Sequence, residues 1–165
     1  MFQRWLDRTQ QKQDYVAAVA PVAGKLFPLH EVQDEAFSRE LIGKGVAIEP
    51  LNGCVVAPVT GRVSHVIDTK HAILIEHSSG LQFLIHIGIN TVDLKGEGFH
   101  VSVKTDDIVT EGQTLMEFDI HNIRKAGYVA HVIVIAIGER LIDYIECDYR
   151  EVRAAEPNVL RIALK

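Results

Sequence analysis

Short runs of β-forming residues, several of them closed by a glycine-bearing turn, set the strongest limit on how this chain folds. Strand-like runs occupy residues 45–49, 63–68, 72–76, 82–87, 114–118 and 128–137. The turn sequences LNGC, HSSG, KGEG and TEGQ separate several of them. Many short strands with regular glycine turns predict an all-β fold, a compact antiparallel sandwich or barrel with little helix. One segment also recurs. VAPVAGKL (residues 19–26) returns 37 residues later as VAPVTGRV (residues 56–63). Each copy places a glycine four residues after its first alanine, where a turn or bulge needs a permissive backbone. Two copies do not make a solenoid; they predict two equivalent turns in a pseudo-repeated β fold. Helix is confined to two short pieces. Asp119 is placed to cap a turn over residues 120–126 that Gly127 ends, and a second piece over residues 34–41 ends at Gly43.

At 165 residues, the chain suits one domain over residues 16–165, with residues 1–15 as a tail or short helix. In that tail Phe2, Trp5 and Leu6 fall on one face, with Arg4, Arg8 and Lys12 nearby. Residues 1–12 therefore suit a weak membrane-surface contact or the remnant of a linker. A net charge of −5 leaves no basic footprint for nucleic acid; an acidic surface favours a basic protein partner instead. Cys54 and Cys147 form no CxxC motif and read as buried reduced thiols, which fits a reducing cytosol. No apolar export signal opens the chain. Its longest apolar run, residues 128–138, is broken by His131 and is shorter than the roughly 20 residues of a membrane span. The expected location is the cytoplasm.

The stretch HAILIEHSSGLQFLIHIGINTV (residues 71–92) places His86 inside its most apolar run and His71 at its start. A single strand histidine is ordinarily a satisfied, partly buried residue, and His30, His65, His77, His100, His121 and His131 are read that way. A facing pair is different. A hairpin closed at HSSG by two or four residues sets position i opposite 157 − i, with His71 opposite His86. Directly opposed side chains lie about 5 Å apart on one sheet face. A three-residue loop shifts the register by one and sends the two rings to opposite faces. Two neutral imidazoles among Ile and Leu resist being charged together. Each keeps a free lone pair for nucleophilic attack or for a metal. Thr69, two residues before His71, shares its face and is placed to hold its ring in one tautomer.

HAILIEHSSGLQFLIHIGINTVDLKGEGF, with APVTGRV, IGKGVAIEP and EGQTLMEFD around it in the same order, resembles the glucose-family IIA domain of the bacterial phosphoenolpyruvate-dependent sugar phosphotransferase system. The resemblance extends over residues 21–165. It implies a β-sandwich or barrel of the duplicated hybrid motif type. It implies a phosphotransferase component that accepts phosphate from the phosphocarrier HPr and passes it to a cysteine of a IIB domain or IIBC transporter. By motif position, His86 matches the histidine phosphorylated on Nε2, His71 the second histidine that stabilises the phosphoryl group, and Thr69 the residue that orients His71. Phe37, Ile42, Ile67 and Leu84 match the apolar ring that meets partners, although Phe often stands where Ile67 and Leu84 do. Asn90 departs from an Asp of the acidic rim; Asp34 is the remaining candidate for that charge. Regulatory binding to permeases or enzymes is a further implied role. No cofactor is required, but His71 and His86 are placed to share a zinc ion with a partner. Two other classes compete: a lysostaphin-like zinc peptidase, whose HxH ending is missing after His86, and a lipoyl-like interaction module, suggested by VKTDDIVTEGQTLMEF. The sugar itself is not readable.

Overall fold

The computed structural model describes residues 13–165; the readings made for residues 1–12 lie outside them. Strands run in the order β1 (Tyr15–Ala18), β2 (Gly24–Pro28), β3 (Lys44–Pro50), β4 (Cys54–Val56), β5 (Gly61–Val66), β6 (Ala72–Glu76) and β7 (Gln82–Ile87). They continue as β8 (Phe99–Val101), β9 (Ile108–Val109), β10 (Thr114–Phe118), β11 (Val132–Ile137), β12 (Ile142–Cys147), β13 (Glu151–Val152) and β14 (Leu160–Leu164). The helices are α1 (Glu35–Ser38) and α2 (Ile120–Lys125), with 3-10 turns at Leu29–Glu31 and Thr91–Leu94. No helix among the described residues is long and apolar enough to cross a membrane.

Among the described residues these strands form three antiparallel sheets. The largest has the order β13-β2-β3-β11-β7-β6-β5-β9; the others are β1-β14-β12 and β4-β10-β8. The expected all-β architecture is therefore present. In the central strands of the large sheet the pleat sends alternate residues to two apolar layers. Phe83, Ile85 and Ile87 of β7 join Val132 and Val134 of β11 in the main core. Leu84, Ile133 and Ile135 face the other way, into a smaller cluster with Leu29, Val32 and Phe37. A sheet buried on both faces needs continuous apolar strands. The run around His86 is apolar for that reason, and the histidine lies on the side of the smaller cluster.

The repeated segments pair with each other. Val19 N–H donates to the Pro58 carbonyl (2.9 Å) and Val56 N–H to the Pro21 carbonyl (2.8 Å). The first valine of each copy thus bonds the proline of the other, as a local two-fold requires. The repeated glycines, Gly24 and Gly61, open β2 and β5 rather than forming turns. A Cβ at either would run into a neighbouring strand's carbonyl, that of Glu49 or Glu76. Close approach, not a positive φ, explains these two glycines.

Both helix expectations are met in shortened form. The Asp119 carboxylate accepts from Asn122 N–H (3.0 Å) at the start of α2. Asp34 accepts from Ala36 N–H (2.9 Å) and Phe37 N–H (3.4 Å), and α1 then gives way to turns over residues 39–42. Strand β11 starts at Val132, later than expected, because Tyr128 N–H is taken by the Ile123 carbonyl at the end of α2.

Candidate active site

The β6–β7 hairpin places the two histidines, but not by the register expected of it. Ala72 pairs with His86, Leu74 with Leu84 and Glu76 with Gln82, so position i faces 158 − i. Loop chemistry explains the shift. The His77 ring accepts from Ser79 N–H (3.1 Å) and Ser79 Oγ accepts from Leu81 N–H (3.2 Å). Gly80 takes φ +93°, and the His77 N–H closes on the Leu81 carbonyl (2.9 Å). The result is a three-residue loop with a left-handed glycine, a common hairpin closure.

In an unbroken strand that register would send His71 to the face opposite His86. The rings nevertheless meet, with centroids 4.9 Å apart and planes at 80°. His71 precedes the first ladder residue and leaves a turn in which Lys70 N–H donates to the Ile67 carbonyl (2.7 Å) and Lys70 has φ +63°. That turn frees His71 from the pleat alternation, while its carbonyl still accepts from Ile87 N–H (2.7 Å). Thr69 Oγ1 lies 2.9 Å from His71 Nδ1. In the tautomer in which the hydroxyl donates, His71 carries its proton on Nε2.

Burial governs the electrostatics. It pushes the His71 pKa below the ordinary imidazole value, opposed by a hydrogen bond to the Thr69 backbone. Burial first, and the charge of His71 second, push His86 down to about 4; the Gly88 backbone and Asp34 oppose the shift. His86 Nδ1 is itself buried, and among the described residues no protein atom stands in hydrogen-bond geometry to it. Near neutral pH both rings are uncharged.

A cavity of about 200 Å³ opens over the pair, lined among others by Asp34, Phe37, Asn90 and Thr91. The Phe37 ring stands edge-on to His86 at 5.0 Å, carried there by the helix that Asp34 caps. Leu84 is buried in the smaller cluster beneath the site and Ile67 packs half-buried against it. Asn90 holds a left-handed φ of +61°, which Asn tolerates better than most residues. Ile42 does not line this cavity; it lines a second groove with Glu40 and Lys44.

Gly88, Thr91 and Val92 are among the neighbours that the sequence pattern did not single out. Gly88 has φ +77°, and a Cβ there would strike Thr91 and the Val129 carbonyl. The buried Thr91 hydroxyl donates to the Ile87 carbonyl. Val92 lines the same cavity and is 48% exposed. The only available signal was their place directly after His86. Among the described residues no three His, Cys, Asp or Glu side chains gather as metal ligands, and the histidine pair supplies two.

The family described as phosphoenolpyruvate-dependent sugar phosphotransferase system, EIIA 1, matches residues 16–141. The glucose-specific EIIA component of the PTS system of Oceanobacillus iheyensis is 39% identical over 163 residues, covering 98% of this chain and 99% of its own. The glucose-specific EIICBA component of Staphylococcus saprophyticus is 50% identical over 101 residues, which are 61% of this chain and 15% of that longer protein. The solved structure of glucose permease IIA from Mycoplasma capricolum superimposes with a TM-score of 0.79 at 31% identity, over 90% of this chain and 96% of that one.

Proposed function

The chain belongs to the EIIA 1 family of the phosphoenolpyruvate-dependent sugar phosphotransferase system, and we propose that it carries a phosphoryl group on His86 between two proteins of such a system. One observation carries the reading: two neutral imidazoles in edge-to-face contact under an open cavity. Burial of His86 Nδ1 leaves Nε2 as the nucleophile. Nε2 attacks the phosphorus of phospho-HPr in line. The N–P bond of the donor histidine breaks as the new one forms, and His86 retains its proton on Nδ1. The same bond then breaks as a IIB cysteine sulfur attacks.

Phosphoryl transfer asks mainly for positioning and charge stabilisation. His71, held by Thr69, donates from Nε2 to a phosphoryl oxygen. Phe37, Ile67 and Leu84 keep water from the phosphohistidine, whose hydrolysis wastes the group. Ile42 extends the partner surface, and Asp34 and Asn90 form its polar rim. Asn90 supplies no charge, so the attraction for a basic donor rests more heavily on Asp34. The EIICBA relative supports a IIB domain or IIBC transporter as acceptor, and the relatives' names point to a glucose-type system. The reading places the protein in the cytoplasm and needs no cofactor. A zinc ion at His71 and His86 would take its remaining ligands from a partner. Regulatory binding of permeases or enzymes would use the same face.

Incubation with phosphoenolpyruvate, enzyme I and HPr tests the proposal. The protein is expected to gain one acid-labile phosphate, measured by mass, and His86→Gln to gain none. Phosphate on that variant, or on Cys54, would overturn the reading.

A further inference from the structure

A groove larger than the cavity over the histidines lies away from them. It has a volume of about 480 Å³ and lies at the Ala136–Gly138 end of β11. His86 pairs with Ile133 on the same strand, so at roughly 3.3 Å per residue the groove begins about 10 Å away. Ile137 and Ile142 contribute to its apolar wall, and Leu41 and Ile42 stand at its edge. Leu41 is 66% exposed, Ile42 40% and the adjoining Leu141 39%. Three carboxylates, Glu40, Glu139 and Asp143, line the groove against two amines, Lys44 and Lys165. Such clustering of exposed apolar side chains in a groove marks a surface that something covers.

We propose that the occupant is this chain's own N-terminal segment, residues 1–12. The point of attachment supports it. Gln13 Nε2 donates to the Leu164 carbonyl (2.6 Å) and lies 3.5 Å from Asp143 Oδ2. Leu164 N–H donates to the Asp14 carbonyl (2.8 Å). The segment therefore joins the described chain beside Asp143 and Lys165, on the wall of the groove. Composition supports it as well. Residues 1–12 carry Phe2, Trp5 and Leu6 for the apolar surface, and Arg4, Arg8 and Lys12 against one acid, Asp7. That basic balance complements the acidic excess of the groove. Eight peptide steps lead from Trp5 to Gln13, a reach of at most about 28 Å. A tether of this length holds its end at an effective concentration of about millimolar, so weak contacts suffice. Seated there, the segment covers Ile42 and competes with a partner for it. That consequence rests on the proposed function; the docking itself does not.

Trp5 is the sole tryptophan, so its fluorescence reports the segment directly. In the full-length protein, without lipid, Trp5 emission is expected to be blue-shifted and several-fold less quenched by acrylamide than in a peptide of residues 1–12. Both properties should be independent of protein concentration. Leu41→Glu and Asp143→Lys, each at the surface, should return them toward the peptide values while circular dichroism stays unchanged. As a second measurement, Trp5→Ala should move the amide resonances of Gly43 and Gly138 but not that of Gly88. Emission equal to the peptide's overturns the proposal. So does protection that grows with protein concentration, which means a second copy, or that appears only with anionic vesicles, which means a membrane surface.

Discussion

Acidification is expected to destabilise the fold through His86. The folded ring titrates at about 4, against an ordinary value of 6.5. Its folded pKa is the lower one. Between the two values the unfolded chain binds a proton that the native state refuses, and stability rises with pH wherever the unfolded state binds more protons. The contribution is therefore full above about pH 6.5 and is lost as pH falls toward about 4. Each pH unit of that interval is worth about 1.36 kcal/mol, which gives roughly 2 kcal/mol lost by pH 5 and roughly 3 kcal/mol at the end. Against a total stability of about 5–15 kcal/mol for a typical domain, that is a large share. Urea unfolding at pH 7 and pH 5 measures it, with wild type and His86→Gln side by side. Wild type should lose about 2 kcal/mol more than the variant over that range. His77 is also depressed by burial and remains in both chains; His71 remains too but touches His86, so the difference between the chains reports the coupled histidine pair. Equal losses in the two chains, or a His86 ring titrating near 6.5 by NMR, would refute the argument.

The two supporting residues of the pair should separate by degree. His71→Gln is expected to keep phosphate acceptance and to slow transfer to IIB by about one to two orders of magnitude, the worth of a hydrogen bond to a charged group. Thr69→Ala should give a smaller defect in the same direction. Rapid-quench measurement of each half-reaction decides, and a wild-type onward rate in His71→Gln sinks the assignment. Gly88→Ala forces a side chain into a left-handed site against Thr91 and the Val129 carbonyl. It should cost about 1–3 kcal/mol in urea unfolding; an unchanged midpoint counts against that backbone demand. Phe37→Ala uncovers His86 and should shorten the lifetime of its phosphorylated form by admitting water, followed by mass spectrometry over time. A wild-type lifetime would mean that Phe37 does not shield the ring.

What the chain's local pattern determines by itself is what depends on near neighbours. The all-β class follows from short β-forming runs and glycine turns. The start of α2 follows from Asp119, and the paired copies from the VAPV repeat. His86 stands out because an imidazole in a doubly buried strand needs a reason. The tertiary structure decided the rest. Register came from two side chains at the hairpin tip, His77 and Ser79, whose hydrogen bonds favour a three-residue loop. Pattern alone could not choose it, because apolar residues fill both faces of β6 and β7 and a one-residue slip costs little burial. The side of the sheet that His71 takes was set by the turn at Lys70, since a residue outside the ladder does not obey the pleat. Ile42 lines a different groove from the cavity over the histidines, placed there by the turns after α1, a path that periodicity does not encode. The low pKa of His86 belongs wholly to the tertiary structure. It arises because Phe37, nearly 50 residues earlier in the chain, and β11, more than 40 residues later, close over one ring and exclude the water that would solvate its charge.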